Sequence, residues 1–307
     1  MNLRRLQYFI NVVDCGTVTA AAEKLHIAQP ALSRQLKTLE RELRLELFET
    51  RGNRLMLTSS GRAFVPMARK LIVQARDLTK SVEVLRTGMV HRLSCAATAA
   101  SLRGFLAHFI ANLGPDEPTI VAREAGHFGL EYELDDDLDF IITPTVPSGD
   151  LASVMLGEVA LRAQVPDEHP WHREQRPAIS LEEVSRQSLI LPPQHTVSRR
   201  ILDEAIDRMD LRYGSYEECE DGFVSHALVA AGRGVGISTE YPAFGVRGIP
   251  IIENLTLPGT KPLSLRMYLA WHRGHYAEDK IRELAGRLSA LVVSRQQYSE
   301  GSSESTT

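Results

Sequence analysis

Cysteine is scarce in this chain: three thiols, Cys15, Cys95 and Cys219, sit in three separate segments with no CxxC pair and no Cys/His ladder. That leaves no material for a disulfide framework and no spacing suited to a structural zinc site. Long apolar runs are missing too. No stretch of about 18 consecutive apolar residues occurs, which excludes a membrane span, and the opening MNLRRLQYFI is a short amphipathic pattern unlike a secretion signal. A cytoplasmic protein with no membrane partner is expected. A nucleophile and base at matched spacing are also lacking, so no enzyme, catalytic residue or cofactor is expected.

What is present is length and a divided charge. At 307 residues the chain has room for two or three domains, each with its own core. The net charge of −4 is unevenly spread. Residues 1–88 carry 15 Lys and Arg against 8 Asp and Glu, whereas residues 89–307 carry 20 against 31. Only the N-terminal part suits a polyanion such as double-stranded DNA.

Leu3, Leu6, Phe9, Ile10 and Val13 recur at helical spacing and predict an amphipathic helix over 3–14, broken by Gly16. A second helix fits Val18 to Leu25, with Thr17 or Thr19 as its cap and Ala20, Ala21 and Ala22 small enough for close helix packing. After the short turn His26-Ile27-Ala28, a third helix begins at Gln29-Pro30, where proline lacks an N–H that would be unpaired anyway, and runs to about Leu43. Leu32, Leu36, Leu39 and Leu43 form its core face. Pro30, Ser33, Arg34, Lys37 and Arg41 share the outer face, as a recognition helix in a DNA major groove requires, although any solvated helix can carry charge. Residues 47–58 then read as a hairpin with Gly52-Asn53 at its tip and Arg51 and Arg54 on either side, a wing able to touch backbone or minor groove.

From Ser60 to about Gly88 the positions Phe64, Ala68, Leu71, Ala75, Leu78, Val82 and Leu85 alternate steps of four and three, a heptad seam over three heptads. A helix of that length, about 42 Å, has too little of its own chain to cover the seam, so the same helix of a second subunit is the expected partner. Packing on the winged domain alone is the other option. Beyond His91-Arg92, short apolar runs alternate with helical stretches: Leu93–Ala97, Leu102–Leu113, Thr119–Arg123, Gly129–Leu134, Phe140–Thr143, Val159–Val165, Ser188–Leu191, Val197–Met209, Phe223–Ala231 and Gly236–Ser238. That alternation predicts a parallel α/β sheet.

The chain closely resembles the LysR-type transcriptional regulators. The resemblance rests on Leu6-x-Tyr8-Phe9, on Ala21-Ala22-Glu23-x-Leu25-His26-x-Ala28-Gln29-Pro30-Ala31-Leu32-Ser33-Arg34-Gln35, and on Leu39-Glu40-x-Glu42-Leu43-x-x-x-Leu47-Phe48-Glu49. It is dense over residues 1–65. Looser matches follow at Leu138-Asp139-Phe140-Ile141-Ile142, His169-Pro170 and Leu228-Val229-Ala230-Ala231-Gly232-x-Gly234-Val235-Gly236. Arg44 stands where the family usually has glycine, and Thr50 where it usually has arginine.

The resemblance implies a winged helix-turn-helix at 1–59, a dimerisation helix at 60–88, and at 89–298 a two-lobed α/β effector domain like periplasmic binding proteins. The lobes would be 89–161 with 266–298, and 162–265, followed by a disordered Ser/Glu/Thr-rich tail at 299–307. It places Gln29, Pro30, Ser33 and Arg34 in the groove and Arg51 and Arg54 on phosphate or the minor groove. It also implies a homodimer that pairs into a dimer of dimers, and a small polar or anionic effector between the lobes. Ligands of such folds sit at strand carboxyl ends and helix N-termini. Thr98 and Ser101 follow the first strand of the domain, and by family position His127, Thr143, Thr196 and Ser198 join them, although an ordinary helix cap is the other reading of each.

Other signals carry less. Gly232-x-Gly234-x-Gly236 follows a helix and leads into a strand, the reverse of a dinucleotide site. His169-x-x-His172 and His272-x-x-His275 lack carboxylate or cysteine company and read as surface histidines. The acidic run Glu131 to Asp139 reads as a solvated helix end. Two alternatives remain at this level: a solute-binding protein or enzyme on a two-lobed fold, against which the basic N-terminal region counts, and a redox-sensing regulator using Cys219, which has no evident resolving partner.

Overall fold

A computed structural model describes residues 2–51, 54–126, 129–134, 138–255 and 259–301. They form two compact units, one ending at Met89 and one beginning at Val90.

In the first unit, α1 (Leu3–Cys15) is capped by the Asn2 side chain and stopped by Gly16 at φ 71°. Thr17 caps α2 (Val18–Lys24), and α3 (Gln29–Leu43) starts on Pro30 in its first turn. The apolar stripes meet as expected: Leu6, Phe9 and Ile10 of α1 bury against Ala21, Ala22, Leu32, Leu36 and Leu39. Helix α3 ends on Arg44, whose φ of 55° is left-handed. Glycine adopts that conformation without steric cost, and arginine does not, which accounts for glycine being usual there. Strands β1 (Phe48–Arg51) and β2 (Arg54–Leu57) pair antiparallel with Arg51 opposite Arg54, and the tip residues 52 and 53 lie outside the described set. Glu40 of α3 accepts the Leu47 and Phe48 N–H groups at 2.8 and 3.1 Å, which ties the start of the hairpin to the third helix.

Helix α4 (Ser59–Thr87) is capped by Thr58 and ends at Gly88. Gly61 lies so close to the Leu47 carbonyl that a Cβ there would collide with it. The heptad seam divides. Phe64 packs on Phe9 at 5.5 Å between ring centroids, and Ala68 is 1% exposed within the core of this unit. These two positions, assigned on sequence to the contact between subunits, belong to the winged unit itself, because the hairpin and α1 already cover the first turns of the helix. Further along, Leu71, Leu78, Val82 and Leu85 are 38, 67, 57 and 85% exposed, and Ala75 is half-buried.

The second unit has two mixed sheets. The first has the order β4-β3-β5-β13-β6, made of β3 (Arg92–Ala97), β4 (Thr119–Glu124), β5 (Phe140–Thr143), β6 (Leu151–Ala160) and β13 (Ser264–His272). The second has the order β10-β9-β11-β7-β12-β8, made of β7 (Arg162–Val165), β8 (Ile179–Ser180), β9 (Ser188–Leu191), β10 (Ser215–Glu218), β11 (Val235–Ser238) and β12 (Arg247–Ile252). The neighbours β3, β4 and β5 are parallel, as are β9, β10 and β11, whereas β13 and β7 run antiparallel to theirs because the chain returns through them from the other lobe.

Helices α5 (Ala99–Ser101), a π-helical turn (Leu102–Leu106), α6 (Ala107–Ala111), α7 (Leu130–Glu133) and α12 (Glu278–Gly301) accompany the first sheet. Helices α8 (Pro170–Arg173), α9 (Leu181–Ser185), α10 (Val197–Arg208) and α11 (Gly222–Ala230) accompany the second. The run Val159–Val165, expected as one strand, is two: β6 ends at Ala160, and after Leu161 the chain enters β7 of the other sheet. Helix α12 runs to Gly301, so residues 299–301 of the tail expected to be disordered are helical, and 302–307 lie outside the described set.

Two readings of surface charge are corrected. Asp139 is 1% exposed and accepts from the Ser94 N–H at 2.7 Å and the Ser94 hydroxyl at 2.8 Å. His275 is 5% exposed, with its Nε2 3.2 Å from the other Asp139 oxygen and its Nδ1 accepting from the Ala277 N–H at 3.1 Å. An Nδ1 that accepts leaves the proton on Nε2, which donates to Asp139. The acidic run therefore ends in an interior lock between β3, β5 and the segment before α12.

Asp139→Ala strands the Ser94 donors and His275 in the interior, and we expect a loss of about 3 kcal/mol. Urea unfolding of the full chain followed by circular dichroism measures it, and an unchanged midpoint would show that the lock does not support the fold.

Candidate nucleic-acid interface and effector cleft

The outer face of α3 presents Gln29, Pro30, Arg34 and Lys37 to solvent, with Ser33 half-buried. Gln29 Nε2 donates to Ser33 Oγ at 3.1 Å, so the polar groups at the start of the helix are pre-oriented. A groove beside this face is lined by Arg34, Lys37, Arg41 and Arg44 together with Glu40 and Glu46. Arg41 donates to Thr38 Oγ1 at 3.1 Å and is thereby turned along the helix. The backbone of Arg51 and Arg54 sits at the free end of the hairpin, and their side chains lie outside the described set.

A cleft of about 1060 Å³ opens between the two sheets of the second unit, within the size range of small-molecule sites. Thr98, Ser101, Thr196 and Ser198 all line it. Each threonine is a helix cap whose geometry follows from its local sequence. Thr98 accepts from the Ser101 N–H at 3.3 Å and shares a 3.0 Å contact with the Ser101 hydroxyl. Thr196 accepts from the Arg199 N–H at 3.2 Å and lies 3.3 Å from the Ser198 hydroxyl. Cap and ligand roles coexist here, because a helix N-terminus leaves further N–H groups unpaired.

Thr143 does not join them. It is fully buried, its hydroxyl lies 2.7 Å from that of Thr145, and it pairs with Tyr268 of β13 inside the sheet where an open crevice was expected. His127 lies outside the described residues. Of the histidine pairs, His172 contacts Asp167 at 3.0 Å and lines the cleft, and burial lowers the pKa of His169. Cys219 is half-buried on the cleft wall with its Sγ 3.3 Å from the Asp221 carbonyl. Cys95, the other thiol of this unit, is buried in β3, and burial pushes its pKa up to about 12.

Sequence reasoning missed one charged group entirely. Arg103, on the π-helical turn of the first lobe, donates to both Asp221 oxygens at 3.4 and 3.0 Å and lies 3.8 Å from Glu240 Oε2, both acids belonging to the second lobe. Its hydrogen bond holds the Asp221 carboxyl below the usual range, whereas burial raises that of Glu240. No local signal marks this cluster, since Arg103 is more than a hundred residues from either acid.

Residues 3–62 match the bacterial regulatory helix-turn-helix protein, lysR family, and residues 89–291 match the LysR substrate binding domain. The nitrogen assimilation regulatory protein nac of Escherichia coli (strain K12) is 27% identical over 306 residues, covering 97% of this chain and 99% of the relative. A probable cat1 operon transcriptional activator of Acinetobacter lwoffii is 28% identical over 246 residues, or 76% of this chain and 79% of that one. Among solved structures, a full-length OxyR variant from Pseudomonas aeruginosa has a TM-score of 0.70 at 22% identity, covering 100% of this chain and 99% of its own. Full-length CbnR complexed with its target DNA has a TM-score of 0.61 at 19% identity, covering 94% of this chain and 100% of its own. At these identities the two structures establish the shared fold. Among the described residues no helix is long and apolar enough to cross a membrane. A basic helix-turn-helix unit and a two-lobed cleft, each matched to its own family domain, together place this chain in the LysR family of DNA-binding transcriptional regulators with an effector-binding domain.

Proposed function

We propose that the protein is a cytoplasmic, non-catalytic regulator that binds its operator as a homodimer, paired further into a dimer of dimers, under the control of a small polar or anionic effector. The observation that carries this reading is the groove along α3, lined by Arg34, Lys37, Arg41 and Arg44 on the only positively charged part of the chain. Gln29, Pro30, Ser33, Arg34 and Lys37 read base edges and phosphates, and Arg51 and Arg54 hold the backbone or minor groove from the hairpin. The DNA complex of the distant relative CbnR supports the choice of partner.

Leu71, Ala75, Leu78, Val82 and Leu85 pair with their copies in a second subunit. Exposed apolar rows on a helix of 29 residues are the reason for that assignment. The effector binds at Thr98, Ser101, Thr196 and Ser198, where two helix starts offer N–H and hydroxyl donors on both walls of the cleft. A ligand touching both walls favours one lobe arrangement, and it shifts DNA binding only by its differential affinity for the two states, typically about 1–3 kcal/mol.

Arg34→Ala is expected to weaken operator binding by about 1–3 kcal/mol and to relax specificity. Footprinting on the DNA upstream of the protein's own gene reads both, and unchanged affinity and sequence preference would remove Arg34 from the interface. In the double variant Leu71→Glu with Leu78→Glu, like charges meet where leucines packed. Sedimentation at micromolar protein should show dissociated subunits, and operator affinity should fall because two linked half-sites bind with far higher effective concentration. An unchanged assembly would place the main dimer contact elsewhere.

Thr196→Val keeps the shape of the side chain and deletes its hydroxyl. In thermal unfolding of the full chain with small carboxylic acids, any stabilisation of the wild type should shrink in this variant. An identical response would move the effector site away from the α10 start.

A further inference from the structure

The ion cluster on the cleft wall holds more acids than bases. Arg103 faces two carboxylates of the opposite lobe, but both of its hydrogen bonds to the cluster go to Asp221, which also caps α11 by accepting from the Val224 N–H at 3.0 Å. Glu240 is left with an ion contact of 3.8 Å and, among the described residues, no hydrogen bond to its carboxyl group. Yet Glu240 is only 8% exposed, and what it shows lines the cleft. Glu124 adds a third negative charge acting on both Arg103 and Glu240.

His226, packed beside the cluster, brings no positive charge to it. His226 is 1% exposed with neither ring nitrogen bonded, and burial together with Arg103 lowers its pKa, which keeps it neutral. Gly222, the first residue of α11, lies against the Glu240 carboxyl so closely that any Cβ would strike it. The glycine thus makes room for an acid in the wall. Among the described residues no three His, Cys, Asp or Glu converge to hold a metal ion, so an inorganic cation has no ligand set here. A buried carboxylate without a close partner costs stability unless something binds it.

We propose that the effector is an amino-carboxylate: its ammonium group seats on Glu240, and its carboxylate takes the hydroxyl and N–H donors at Thr98, Ser101, Thr196 and Ser198. This rests on the reading that the effector occupies the cleft, and it names the chemistry of that occupant. The lining of the cleft offers partners for opposite charges: capped helix starts favour the anion, and the under-paired acid favours the cation. An ammonium donates three hydrogen bonds and reduces the excess of negative charge around Arg103, Asp221 and Glu240. A site built to bond an amine also rejects the analogue that lacks it, because the buried acid is then left unpaired.

The test is thermal unfolding of the full-length protein with the proteinogenic L-amino acids, each set beside its N-acetyl derivative and its 2-oxo acid. At least one amino acid should raise the midpoint, with its two amine-blocked or amine-free partners binding about tenfold more weakly or worse. Glu240→Gln should erase that preference; if this variant does not fold, the comparison on the wild-type chain decides alone. Equal stabilisation by the oxo or N-acetyl compound, a preference that survives Glu240→Gln, stabilisation by a divalent cation alone, or silence of every amino acid would each overturn the proposal. If only amine-free acids stabilise the chain and Thr196→Val removes their effect, the amine inference falls while the cleft reading stands. Stabilisation by an amino acid that neither variant alters sinks both.

Discussion

The effector cleft depends on three backbone hydrogen bonds where the chain passes between its two sheets. The Leu161 N–H donates to the Leu263 carbonyl at 2.7 Å, the Ile251 N–H to the Leu161 carbonyl at 3.0 Å, and the Leu263 N–H to the Ile251 carbonyl at 2.8 Å. Without them the lobes would be joined by two independent single strands. With them the two crossings form one bonded pair around a fully buried Leu161, so the lobes share a narrow common joint while each keeps its own ladder of strand bonds. Motion that preserves both ladders must be taken up at such a joint, which makes the spacing between the walls softer than the walls themselves. Polar groups on opposite walls, such as Arg103 and Asp221, therefore bear on how far the cleft opens.

How much of this was legible in the sequence follows from the range over which each feature is decided. Leu32, Leu36 and Leu39 announce the buried face of α3 because a helix repeats every 3.6 residues and its core lies within a few turns. Thr98 and Thr196 were legible for the same reason: a cap is settled by the next three residues. The divided charge of the chain needed only counting. Arg44 was readable as a departure from a glycine position, and its left-handed φ supplies the physical meaning of that departure.

The misread residues are those whose neighbours lie far away in the chain. Asp139 and His275 are separated by 136 residues, and each looks solvated in its own segment. A heptad pattern shows that Phe64 and Ala68 are covered but not by what, and the hairpin and α1 reach them first. Thr143 ends a strand, as expected of a ligand contact, but it is buried within the sheet beside β13. The run Val159–Val165 is apolar except at Arg162 and Gln164, and nothing in its composition marks Leu161 as the residue where the chain changes sheets.

The least legible feature is also the one with the least structural reason to exist. A carboxyl at position 240 packs against a bare glycine backbone, lies behind a guanidinium already engaged by Asp221, and has its pKa raised by burial. The sign of that shift is unfavourable to the fold. A group that holds its proton more tightly when folded contributes stability at low pH and loses it as pH rises through its folded value, so near neutrality Glu240 weakens the fold it sits in. Asp139, more deeply buried still, shows the contrast: three donors converge on its two oxygens and it serves as a lock. An interior acid with all its donors supplied is a structural element. An interior acid left short of donors on the wall of a cleft has its counterpart outside the chain, because only a group that arrives from solution can complete the hydrogen bonds the fold itself leaves unmade.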